Sequence, residues 1–170
     1  MLAERVILVV GGTGLIGRAV VERLTAEDAI AIPASRKGTG GVVLDARKDA
    51  SVAAGITDVL ARYGRLDGVV VAAAPSARTL DPTRNSDPSQ VLEAIDAKAL
   101  GFLRVANAAL EVMTTAGYGR IVGVSGQNAF LTGNITGAVR NAALIVVAKN
   151  LADSVAGTGV TVNSVSPATV

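Results

Sequence analysis

At 170 residues, half of them hydrophobic, the chain has the length of one domain with a sizeable core. A net charge of +2 and an aromatic share of 2% exclude the basic, aromatic-studded face of a nucleic-acid binder. With neither cysteine nor histidine, disulfides, thiolate metal centres and a histidine general base are excluded; no metal site is expected, and any catalysis draws on other groups.

In chain order, residues 5–10 are almost wholly aliphatic, as a strand buried on both faces should be. No signal-peptide pattern precedes them and no later stretch reads as a membrane span, so a cytoplasmic protein is expected. Next comes Gly11-Gly12-Thr13-Gly14-Leu15-Ile16-Gly17, and residues 15–24 then show helical spacing through Ile16, Val20 and Leu24. A glycine turn between a buried strand and a helix lets backbone N–H groups and the positive helix end face a diphosphate. Gly11 suits the tight turn, Gly14 the close approach of the ligand, and Gly17 the packing of helix on strand; the alternative is a turn kept only for packing.

A second strand is predicted over residues 29–34. At its end stands Ser35-Arg36-Lys37, where a site preferring NAD would present a carboxylate to the ribose hydroxyls. Two cations and a hydroxyl suit a 2′-phosphate, so NADP is favoured over NAD; the bland alternative is a solvated basic turn. A third strand fits residues 42–44, but the link over 35–41 is too short for a crossover helix between parallel neighbours.

A helix over about 51–62, a strand over 68–73 and a polar loop with Pro75, Pro82 and Pro88 follow. One long helix is predicted over about 89–115, then a strand over 120–125, a helix over 136–156 and a strand over 160–165, with Gly157 and Gly159 marking the helix exit. Strands alternating with helices imply a parallel sheet covered on both faces. The long helix and the run 142–148 are apolar beyond one face, which predicts a partner surface.

Five ordered segments together resemble the short-chain dehydrogenase/reductase family: the glycine turn, Leu44-Asp45 before a helix, Gly64-Arg65-Leu66-Asp67 before a strand, Gly119-Arg120-Ile121-Val122, and Val162-Asn163-Ser164-Val165-Ser166-Pro167. The resemblance implies a single Rossmann domain over 1–170, a doubly wound parallel sheet in three αβα layers with strand order 3-2-1-4-5-6. It further implies Gly11, Thr13, Gly14, Leu15, Ile16 and Gly17 at the cofactor's pyrophosphate, Asp45 near the adenine, the backbone of Ala72, Ala73 and Ala74 beside the adenine ribose, and a homodimer or homotetramer through helices 89–115 and 136–156. The family continues past Ser-Pro with a substrate-covering region and a seventh strand, both absent from this sequence. Either the sequence is part of a longer chain or it is a naturally reduced version, and without those parts strand six is an open edge.

The family's chemistry rests on a tyrosine, a lysine four residues later and a serine, and the sequence departs from it at all three. The tyrosine position holds Gly137, the lysine position Asn141, and the serine position falls on Gly126, with Ser125 one residue early. The family's Asn-Asn-Ala-Gly after strand four is replaced by Val71-Ala72-Ala73-Ala74, and its helix asparagine by Lys98. This resembles an atypical branch. Lys98, with Ser125 and Thr136, is expected to line a modified site in which an ammonium group polarises a carbonyl; a solvated Lys98 is the alternative. Tyr63 and Tyr118 are expected to be structural, and Arg140 a surface arginine. Two functions remain open: an NADP-dependent oxidoreductase acting on a small-molecule carbonyl or alcohol, and an inactive dinucleotide-binding sensor or partner subunit.

Overall fold

The computed structural model describes residues 2–75 and 79–168. Residues 76–78 of the proline-containing loop, Met1, Thr169 and Val170 lie outside that set.

Six parallel strands, β1 (Val6–Val10), β2 (Ile30–Ser35), β3 (Val42–Val43), β4 (Gly68–Val71), β5 (Gly119–Val124) and β6 (Val160–Val165), form one sheet in the order β3-β2-β1-β4-β5-β6. β1 is buried along its whole length, as its unbroken aliphatic run requires at the centre of a sheet. The helices are α1 (Leu15–Ala26), α2 (Asp49–Tyr63), α3 (Pro88–Ile95), α4 (Gly101–Ala116) and α5 (Ile135–Ser154). The main core joins Val6, Leu8 and Val10 to Ile32, Val69, Ile121 and Val162, capped by Val59, Phe102 and Leu144 from α2, α4 and α5. Ile7 and Val9 alternate to the opposite face, where α1 packs against β1 and β2. By length and apolar composition α5 could pass for a membrane span. Here it lies against β6, with Leu144 and Ala148 in the core.

The short link after β2 indeed holds no helix, yet β2 and β3 are parallel neighbours. The reconciliation is length: β3 starts opposite Ala34, so the chain needs to double back over only two residues. Two tight turns achieve this, Gly38 N–H donating to Ser35 C=O and Gly41 N–H to Gly38 C=O, each 3.1 Å. β6 occupies one edge of the sheet.

The long helix is the main departure from expectation. Its helical run continues from Pro88 to Ala116, but residues Asp96–Leu100 form a π turn between α3 and α4. Such wide turns are rare and concentrate at functional sites. This one carries Lys98.

Candidate functional site

The glycine turn is built as the sequence implies. Gly11 holds φ +83, which an L side chain rarely adopts, and a Cβ there would stand 2.7 Å from the Ala73 nitrogen. A Cβ on Gly17 would overlap the carbonyl oxygen of Gly11, so α1 can start this close to β1 only through a glycine. By contrast, a Cβ on Gly14 would meet a single atom, Gly11 O at 3.3 Å. Gly14 also caps α1 without any side-chain hydrogen bond, and no acidic residue lies in the first turn. The free N–H groups and positive end of α1 therefore fit an anionic diphosphate. Thr13 is exposed in the turn.

The N–H groups of Gly11 and Gly12 both donate to Ala34 C=O, at 2.9 and 3.2 Å, which seats the end of β2 beside this turn. Ser35, Arg36 and Lys37 follow directly. Arg36 and Lys37 are exposed, and the buried Ser35 Oγ has no hydrogen-bond partner among the described residues. That corner fits a phosphate on the adenosine ribose. Asp45 accepts from Arg47 N–H at 3.1 Å, closing its own turn beyond β3.

A cleft of about 580 Å³ is lined by Gly14, Leu15, Ile16 and Gly17, by Ala72 and Ala74, and by Lys98, Ser125, Arg140 and Asn141. Ala73 stands behind it, against Gly11. The volume is that of a small-molecule site. The turn expected to hold the cofactor and two of the three residues expected to do chemistry thus share one space.

Lys98 is buried, 8% exposed, rather than solvated. Its Nζ donates to Ser125 C=O at 3.0 Å. Burial, assisted by the positive charge of Arg140, pulls its pKa down to about 8. The Ser125 hydroxyl donates to Asn141 C=O at 3.0 Å, which leaves its lone pairs rather than its proton toward the cleft. Asn141 Oδ1 is buried without a partner among the described residues.

Thr136 is not brought to this cleft. Its hydroxyl lies 2.8 Å from Asn85 C=O and 3.4 Å from Gln90 Nε2, and it lines a separate, smaller pocket with Asp81 and Asn134. The cause lies at the helix start: Asn134 caps α5 by accepting from Gly137 N–H at 2.7 Å, which turns residue 136 toward the loop before α3. Arg140 corrects the sequence reading in the other direction. It is 4% exposed, lines the cleft, and its Nη1 donates to Pro75 C=O at 3.1 Å. Its place four residues after Thr136 and four before the core residue Leu144, on one helical face, was the available signal. Tyr118 is structural, its ring sandwiched between the guanidinium groups of Arg5 and Arg120. Tyr63 ends α2, 40% exposed.

A family model for enoyl-(acyl carrier protein) reductases matches residues 12–170. A Streptomyces virginiae protein named as a ketoacyl reductase of the monensin polyketide synthase is 32% identical, over 96% of this chain and 70% of its own length. The NAD(+)-dependent 2-dehydro-3-deoxy-L-rhamnonate dehydrogenase of Sphingomonas sp. (strain SKA58) is 30% identical, over 98% of this chain and 72% of its own. Among solved structures, levodione reductase superposes with a TM-score of 0.89 over 99% of this chain and 72% of that one; at 22% identity the likeness is one of fold.

Proposed function

The chain belongs to the short-chain dehydrogenase/reductase family of oxidoreductases, and on that footing we propose that it is an NADP(H)-dependent, cytoplasmic oxidoreductase acting on a carbonyl or alcohol through a rebuilt active site. The observation that carries this reading is the single cleft joining the uncapped start of α1 to the buried Lys98.

Gly11 to Gly17 would hold the diphosphate, with Ser35, Arg36 and Lys37 on the 2′-phosphate and the backbone of Ala72 and Ala74 along the adjoining ribose. The unpartnered Asn141 Oδ1 offers an acceptor to a cofactor hydroxyl where the family uses lysine. A bound nicotinamide would supply or take up the hydride. With one N–H of Lys98 on Ser125 C=O, two remain for a substrate oxygen. In low-dielectric surroundings that ammonium polarises a carbonyl, and a pKa of about 8 lets it pass a proton near neutral pH. Ser125 supports this by fixing Lys98 through its backbone oxygen.

A second reading, an inactive dinucleotide-binding sensor or partner subunit, is favoured by one observation: Gly137 and Asn141 stand where the family's acid and its lysine would be. Titrating NADPH and NADH by fluorescence, then following absorbance with a panel of carbonyl compounds, separates the two. The oxidoreductase predicts tighter NADPH binding and turnover. Binding without turnover across the panel supports the sensor, and absence of binding overturns both.

Replacing Arg36 by Ala removes a charge-assisted contact and should weaken NADPH roughly tenfold, by about 1.5 kcal/mol, while leaving NADH nearly unchanged. Equal effects on both cofactors would remove Arg36 from the 2′-phosphate.

A further inference from the structure

Two cations line the cleft, Lys98 at 8% and Arg140 at 4% exposure, and no carboxylate lines it among the described residues. Neither forms an ion pair with any described residue; each donates instead to a backbone carbonyl, Lys98 to Ser125 and Arg140 to Pro75. Buried charges are normally paired, because withdrawing an ion from water is costly unless an opposite charge compensates. Here the compensation is missing twice in one space, and the two charges are close enough for Arg140 to disfavour protonation of Lys98.

Arg140 is also held in a defined pose. Nη1 is fixed on Pro75 C=O, whereas Nε, on the other side of the guanidinium, has no partner among the described residues. The Nε edge of a guanidinium, with its neighbouring Nη, presents two parallel N–H donors at the spacing of a carboxylate's oxygens. The remaining polar lining, Ser125, Gln127, Asn128 and Asn141, is neutral.

We infer that Arg140 forms a carboxylate subsite beside Lys98, so that the substrate of this cleft is an oxo acid or hydroxy acid rather than a neutral ketone or alcohol. The inference rests on the oxidoreductase reading for the word substrate, and on the cleft alone for the anion. Arg140 takes the carboxylate through its free edge, and Lys98 keeps its two remaining protons for the carbonyl or hydroxyl oxygen. The diphosphate of a cofactor belongs instead on the start of α1.

The test uses inert, nearly isosteric probes: benzoate, its neutral counterpart benzamide, and phenylphosphonate, followed by saturation-transfer NMR on the full chain with and without saturating NADPH. Benzoate is expected to bind at least tenfold tighter than benzamide in both conditions, and Arg140→Gln to bring the two within twofold while NADPH affinity changes less than threefold. Equal binding of benzoate and benzamide to the wild-type protein overturns the inference, whether or not the variant folds. So does a preference that survives Arg140→Gln in a variant with an unchanged melting temperature, or one confined to phenylphosphonate. A benzoate preference abolished by NADPH also overturns it, since the anion would then sit on the diphosphate's donors. Failure of NADPH to bind, with the benzoate preference intact and dependent on Arg140, sinks the cofactor reading and leaves the carboxylate subsite standing.

Discussion

Lys98 sits in the π turn between α3 and α4. As a residue type it belongs in water, yet the π turn lays it in the cleft, and burial moves its pKa from 10.5 to about 8. Between those two values the unfolded chain binds more protons than the folded one, so the contribution of Lys98 to stability rises with pH across that window. Below about pH 8 the folded protein carries a buried ammonium, and the contribution is at its least favourable. Arg140, the other charged group lining the cleft, stays protonated throughout. The difference in unfolding free energy between wild type and Lys98→Met should therefore shift in favour of wild type from pH 8 to 10.5. Denaturant melts at several pH values measure it, and a pH-independent difference would mean that Lys98 is solvated. The family resemblance set Lys98 at the site, and the spacing along α5 carried a signal for Arg140; how deeply each is buried is decided by what packs over it.

At the scale of elements, an acidic side chain ties the starts of two neighbouring strands together. Asp67, 5% exposed just before β4, accepts from Arg5 Nη1 at 2.8 Å, from Val6 N–H at 2.9 Å and from Arg65 at 2.6 and 2.7 Å. Burial by itself would raise its pKa, but the hydrogen bonds from Arg65, the Val6 backbone and Arg5 outweigh it and hold the carboxyl below its ordinary 3.8. The stabilisation is therefore present above that value and fades as acid protonates the folded carboxylate. Asp67→Asn should lose about 2 kcal/mol at pH 7, on the scale of a charge-assisted buried bond, and progressively less as the pH falls through the acid range. An unchanged urea midpoint at neutral pH would contradict it. Gly64-Arg65-Leu66-Asp67 was legible beforehand as a family segment, while its clamping role depends on Arg5, 62 residues away in sequence. The π turn was invisible for a related reason: its five residues, Asp96–Leu100, have ordinary helical composition, and what sets them apart is their packing against α5, distant in sequence.

For the molecule as a whole, the sheet closes one core on the α2, α4 and α5 side, yet large apolar side chains remain outside it. Leu92 on α3 is 66% exposed and Val146 on α5 59%, with Val139 at 38%. Single exposed apolar residues are ordinary, but these lie on the helices read from sequence as apolar beyond one face. We expect a dimer or tetramer through them at micromolar concentration. Val146→Glu, which places a charge in the contact while leaving the core untouched, should shift the light-scattering mass toward monomer with little change in the circular dichroism spectrum. A wild-type protein that is monomeric throughout would dispose of this assembly.

The amino-acid sequence itself carries the alternation of buried strands and helices and the glycine turn. Each of these is written locally, in aliphatic runs and in glycines whose backbone no other residue can copy, as at Gly11 and Gly17. It also holds Gly137 and Asn141 where the family resemblance implies a tyrosine and a lysine. Tertiary structure alone brought Lys98, Ser125, Asn141 and Arg140 around one cleft and turned Thr136 away from it. The reason is that burial and the partners of a polar group are set by segments distant in sequence, so an arginine that read as a surface residue joins a lysine expected at the site as two unpaired charges facing the same space.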